Sequence, residues 1–361
     1  MRLEAHTLTA LLLSLLLTLG ATDASHGVVD PNVECQPYGW SGENTSDFPA
    51  IWNPVIKIMD GDDEGHSKYA AFSNAIPPIA AKGSGDFQGN NIDKTMTAYE
   101  KANDYSDPDC WWTDTACVTP KLAGLTADIA TVPEPNTLGL SYDDGPNCTH
   151  NIFYDFLATQ NQKATFFYIG SNVMDWPLEA QRGVVDGHQV CVHTWSHSYL
   201  TAMSNESVFA ELWYTQKAIR EITGITPTCW RPPYGDVDDR VRFIAKQMGL
   251  GEPCLWEYDS NDWDEGTDGY TPAKVQANYN KLITKAQAGK FNASGAIMLT
   301  HELNNFTMQI AMDNHQNLSK VFKLVPIATA LNQTNPCEES GKRCRSPIIQ
   351  ESLCGALRKI M

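Results

Sequence analysis

From residue 136 onward, strand-like and helix-like segments alternate, and this alternation most narrows what the chain can become. Residues 138–142, 164–169, 189–192, 255–258 and 296–300 read as short apolar strands. Residues 152–160, 237–248, 272–290 and 318–331 read as helices. Another helix is capped by Ser204, carries Val208, Leu212, Ile219 and Ile222 on one face, and ends at Gly224. Repeated strand–helix units predict an α/β fold on a parallel sheet, open or closed as a barrel. In such folds chemistry gathers at the C-terminal ends of the strands.

Polar clusters fall at those ends. The first strand runs into Asp143-Asp144-Gly145-Pro146. Adjacent carboxylates at a strand-to-turn junction point in different directions, so one can bind a metal while the other holds a proton. After Val192 comes His193-Thr194-Trp195-Ser196-His197. The two histidines are spaced i, i+4, which places them on one face of a helical turn, a common metal-ligand spacing. With a carboxylate nearby they predict a two-His, one-carboxylate site that leaves room for water, as hydrolysis requires. Three more clusters follow: Arg231-Pro232-Pro233-Tyr234-Gly235, Asp259-Ser260-Asn261-Asp262-Trp263 and Leu299-Thr300-His301. Each alone reads as structural; five in succession at strand ends read as a site.

The first residues bear on location. Arg2 precedes an apolar run over 8–19, followed by Gly20, Ala21 and Ala24, the order of a secretory signal peptide. The run is too short to span a bilayer, which takes about 20 residues, and no other stretch is long and apolar enough. The ten cysteines include no Cys-x-x-Cys pair, so in an oxidising compartment disulfides are expected, with Cys110 and Cys117 able to close a local loop. Asn-x-Ser/Thr sequons open at Asn44, Asn147, Asn205, Asn292, Asn305, Asn317 and Asn332, which predicts N-glycosylation. A net charge of −17 argues against a nucleic-acid partner or an anionic membrane surface. A soluble, secreted monomer is expected. Its parts are a signal peptide (1–24), an extension (25–135), the strand–helix domain (136–331) and a Cys-containing tail (332–361). The extension has no long amphipathic period, but Trp40, Trp52, Trp111 and Trp112 favour packing over a disordered linker.

In order, the five clusters resemble the motifs of the polysaccharide deacetylases, the NodB-homology domain of carbohydrate esterase family four. Ser-Tyr-Asp-Asp-Gly-Pro at 141–146 departs from the usual Thr-Phe-Asp-Asp-Gly-Pro at two conservative positions, and 231–235 matches without change. The resemblance covers about 136–331 and, given the leader and sequons, is strongest to the fungal chitin deacetylases. It implies a distorted (β/α) barrel, with the extension left unexplained. It also implies roles. Asp144, His193 and His197 would hold a divalent metal, zinc or cobalt. Asp143 would be the general base, oriented by Arg231, and His301 the general acid, kept protonated by Asp262. The Tyr234 N–H would help form the oxyanion site, and Trp263 with Leu299 would wall the acetyl pocket. The expected reaction is N-deacetylation of chitin or its oligosaccharides to chitosan and acetate. Rival readings are O-deacetylation of acetylxylan, a bacterial-type peptidoglycan deacetylase, and a non-catalytic chitin-binding wall protein, which would need neither Asp143 nor His301.

Overall fold

A computed structural model describes residues 30–36, 38, 45–267, 269–333 and 337–339. The expected signal peptide, the Asn44 sequon, Trp40 and most of the tail lie outside the described residues.

The strands are β1 (Thr137–Gly139), β2 (Ser141–Gly145), β3 (Thr165–Tyr168), β4 (Gln189–Val192), β5 (Ile225–Pro227), β6 (Tyr258–Asp259), β7 (Ala296–Leu299), β8 (Lys323–Val325) and β9 (Cys337–Glu339). β2, β3 and β4 form one parallel sheet, and β6, β7, β1 and β8 a second. Single bridges join Val192 to Trp230 and Asp143 to His301, and Cys254 N–H donates to Trp230 O, which links the two sheets into a distorted barrel. Leu140 is the hand-over point. Its N–H donates to Val325 O and its carbonyl accepts from Thr165 N, so the chain exchanges β8 for β3 as neighbour. The antiparallel pair β5–β9 stands apart.

Beneath the mouth the barrel interior is filled by Val132, Phe167, Cys191, Cys254, Ile297 and Ile327. The disulfide Cys191–Cys229 lies in this layer, two residues below His193 on one strand and two below Arg231 on the next. Side chains two apart share a strand face, so the same alternation that buries Cys191 aims His193 inward, and the extended stretch at 229–231 does the same for Arg231. Two further disulfides join Cys35 to Cys148 and Cys110 to Cys117.

Helix Asn205–Thr223 begins at Ser204, whose side chain accepts from Ser207 N, and ends on left-handed Gly224. Its apolar stripe is wider than the one expected face, because Phe209, Trp213 and Tyr214 are also buried. The extension covers them. Phe48 lies over Trp195 and against Tyr214, Tyr69 and Phe72 meet Phe209, and Trp213 Nε1 donates to Asp62. Within the extension, short helices form at Asp63–Ala70 and Ile92–Ala102. Buried ion pairs tie it down: Lys82 to Asp238, and Arg242 to Asp128.

Three other expectations change. Residues 318–331 are not one helix. Asn304 and Thr307 form a capping box that starts a helix at Asn305–Ser319, and 323–325 is β8, drawn into the barrel base by pairing with β1. The strand expected at 255–258 reduces to β6 at Tyr258–Asp259 plus a bridge at Cys254. The helix expected from 237 starts at Asp239, because Asp238 caps it through Val241 N. No helix among the described residues is long and apolar enough to cross a membrane.

Candidate active site

Asp143 and Asp144 end β2, where Asp144 takes a left-handed φ of 73° and the β2–β3 register shifts. That shift sends the two carboxylates apart. Asp143 Oδ1 accepts from Arg231 Nη1 at 2.5 Å. Asp144 Oδ1 lies 3.4 Å from His193 Nε2 and 3.2 Å from His197 Nε2.

The histidines do not converge through a helical turn. Residues 193–197 form an irregular bend in which Thr194 (φ 64°) and His197 (φ 54°) are left-handed. Glu211, fully buried on the helix behind, holds that bend. Its carboxylate accepts from Trp195 N, Ser196 N, Ser196 Oγ and, from the extension, Val55 N, all within 2.9 Å. Nothing in the sequence distinguished Glu211 from an ordinary helical glutamate. Replacing it with Ala would strand three buried N–H donors, each costing about 1–3 kcal/mol, while the Ser196 hydroxyl keeps Ser198 as a partner. Calorimetry should show a large fall in melting temperature; an unchanged value would refute the anchoring role.

The donor set suits a divalent cation. One ligand atom each from Asp144, His193 and His197 lies within 4.8 Å of the others. Donors about 2.0–2.2 Å from a tetrahedral zinc sit roughly 3.3–3.5 Å apart, close to the separations from Asp144 Oδ1. That oxygen is buried with no hydrogen bond aligned on it. The other ring nitrogens are engaged: His193 Nδ1 with Arg231 O at 2.8 Å, and His197 Nδ1 with Tyr234 Oη at 3.1 Å. Such partners orient the rings and would leave Nε2 free for a cation. Burial would raise the Asp144 pKa, but the imidazoles of His197 and His193 outweigh it and hold the carboxyl well below the usual range.

His301 follows β7. Its Nδ1 meets Asp262 Oδ1 at 2.6 Å, and its backbone N–H donates to Asp262 Oδ2. Burial would lower its pKa; the Asp262 carboxylate, with Asp144 and Asp143 behind it, pushes it up to about 10. Arg231 is fully buried, stacked over Phe167, and bonded to Cys254 O and Ser141 Oγ. Tyr234 sits in the Pro233–Gly235 turn with φ 59°. Leu299 is buried at the end of β7, and Trp263 is exposed one residue past Asp262.

Glu302 also escaped the sequence reading. Its carboxylate accepts from Asn147 N and Tyr154 Oη, tying the β7 end to the turn after Asp144, and burial pushes its pKa up to about 8. Among the sequons, Asn292, Asn305, Asn317 and Asn332 are exposed. Asn147 and Asn205 are half-buried; Asn147 Nδ2 donates to Leu303 O, and Asn205 Oδ1 accepts from Arg240.

The chain is 48% identical over 319 residues to chitin deacetylase 2 of Cryptococcus neoformans, covering 87% of this chain and 68% of that protein. It is 45% identical over 314 residues to the chitin deacetylase of Amylomyces rouxii, covering 85% of this chain and 72% of that one. The solved chitin deacetylase of Colletotrichum lindemuthianum shares the fold, with a TM-score of 0.53 and 23% identity over 61% of this chain and 98% of that one. Residues 131–252 match the family described as Polysaccharide deacetylase. With relatives this similar over more than two thirds of their length, the chain belongs to the polysaccharide deacetylase family.

Proposed function

We propose that the protein hydrolyses the N-acetyl groups of β-1,4-linked N-acetylglucosamine in chitin, giving chitosan and acetate. The observation that carries the reading is the pairing beside the metal-competent trio: Asp143 is fixed by Arg231, and His301 by Asp262. A binding module needs neither pair. The names of the two sequence relatives support the substrate.

Asp144, His193 and His197 would hold a divalent cation, zinc by the donor chemistry, which when bound polarises the acetyl carbonyl and acidifies water. Asp143 takes the proton of the attacking water, and the Arg231 guanidinium keeps its second oxygen turned to the site. His301 delivers a proton to the leaving nitrogen, without which an amine anion would have to depart. Asp262 holds that imidazole in one orientation and in its protonated form. The Tyr234 N–H serves the developing oxyanion. Leu299 and Trp263 bound the methyl pocket, so longer N-acyl groups fit poorly. The leader, disulfides and sequons support a secreted, N-glycosylated protein acting as a monomer. The barrel at 136–331 carries the chemistry, and the extension at 25–135 serves as its wall.

Acetate release from chitin oligomers and from acetylxylan, measured side by side with and without a chelator, tests the reading. Chitin oligomers should be the better substrate. Chelation should abolish release, and added zinc should restore it. Preference for acetylxylan would favour O-deacetylation, and full activity after exhaustive chelation would remove the metal.

A further inference from the structure

The extension reaches the metal site through a chain of contacts. Residues 86–91 form a tight loop in which the Asp86 carboxylate accepts from Asn90 N at 2.8 Å and Asn91 N at 2.6 Å. The Phe87 carbonyl accepts from Tyr199 N at 3.0 Å. Gly89, with φ 68°, lies flat against the Tyr199 ring; a Cβ there would stand 2.4 Å from Tyr199 Cε2. On its other side Tyr199 stacks on Tyr234, with centroids 4.2 Å apart and planes 8° from parallel. The Tyr234 hydroxyl, in turn, meets His197 Nδ1 at 3.1 Å. With a cation held at His197 Nε2, Nδ1 would carry the proton and donate to that oxygen.

A second contact steadies the same turn. A Cβ on Gly235 would strike the Trp112 ring at 2.3 Å, so glycine there lets the extension's indole press on the backbone next to Tyr234. Trp111 Nε1 and Thr113 Oγ1 both donate to Asp236 Oδ1, and Thr201 N donates to Asp236 Oδ2. Tyr234 holds a left-handed conformation rarely adopted by bulky residues, which persists where surrounding contacts over-determine it. The extension supplies several of those contacts.

We propose that the loop at 86–91 and Tyr199 are positioning elements for the metal ligand His197, acting through the Tyr234 hydroxyl. The inference rests on the metal-site reading above. The two parts of the chain thereby divide the work, since the barrel supplies the ligands and the Tyr234 hydroxyl while the extension backs the stack that holds that hydroxyl in place. Groups that orient a ligating histidine typically change metal affinity about 10–100-fold when removed.

The test is zinc affinity of the full chain, read by competition with a chromophoric chelator, so that turnover does not enter. Tyr234→Phe, which keeps the stack and loses the hydroxyl, should weaken zinc binding about tenfold or more. Tyr199→Phe, which keeps the stack, should bind like the parent. Tyr199→Leu, which fills the space without a flat ring, should weaken binding, as should Gly89→Val. The decisive measurement is the Tyr199→Leu, Tyr234→Phe double variant. If Tyr199 acts through the hydroxyl, its loss should be no larger than that of Tyr234→Phe alone. Losses that multiply, or a Tyr199→Leu protein with parental affinity, would overturn the proposal. If Tyr199→Leu fails to fold, the same comparison runs with Gly89→Val. A parent chain that binds no zinc would instead overturn the metal-site reading itself.

Discussion

Asp143→Asn should lower turnover on chitin oligomers by about 10²–10⁴, the usual consequence of losing a positioned general base. The amide keeps the shape of the side chain but cannot take up the proton of the attacking water. Zinc affinity should persist, because Asp143 Oδ2 stands 3.8 Å from His193 Nε2 and outside the trio of ligand atoms. Stability should not be spared. Arg231 is fully buried, and the substitution removes its countercharge. Breaking a buried pair from one side costs about 3–5 kcal/mol. The remaining bonds to Cys254 O and Ser141 Oγ, with the stack on Phe167, soften that loss. Turnover must therefore be compared well below both melting temperatures. A variant with normal metal content and near-parental turnover would dismiss Asp143 as the base.

The acid should reveal itself through pH. His301 is pushed up to about 10, above its unfolded value, so the associated stabilisation is complete below about 6.5 and fades as pH rises toward 10. The alkaline limb of the rate should accordingly lie well above neutrality. Asp262→Asn removes the main countercharge and leaves burial opposed only by Asp144 and Asp143, which lowers the imidazole pKa. The limb should then move down by more than one pH unit, with loss of rate at pH 8 and partial recovery on the acid side. A bound dication offsets part of the elevation, so parent and variant must carry the same metal. His301→Ala should cost about 10²–10⁴ on amides and far less on activated aryl acetates, whose leaving group needs no proton. Equal losses on both substrates would assign His301 a different role.

Legibility in the sequence followed locality. Ser204 and Gly224 bound their helix because a cap and a left-handed terminator are local devices. The five polar clusters stood out because charged residues directly after apolar strands need an explanation. What stayed hidden acts at long range. Glu211 sits among ordinary helical residues, and only the fold brings it to the 193–197 bend and to Val55. Tyr199 and Gly89 carry no signal until the chain stacks them. The helical reading of the two histidines failed because their convergence comes from left-handed residues, whose cost the surrounding contacts bear. Residues 323–325 became a strand only because β1 offered an edge.

Three sulfurs share the layer under the site: the Cys191–Cys229 bond and the free, buried thiol of Cys254. Exchange between a thiol and a disulfide needs the thiolate. Burial pushes the Cys254 thiol up to about 12, which leaves on the order of one ionised molecule in 10⁵ at neutral pH. The nucleophile is thus suppressed by the same packing that holds its target nearby. Once the barrel closes, exchange among these sulfurs is slowed by the scarcity of thiolate. Opening the barrel restores an ordinary thiol, so unfolding at alkaline pH should release the exchange that burial of Cys254 suppresses.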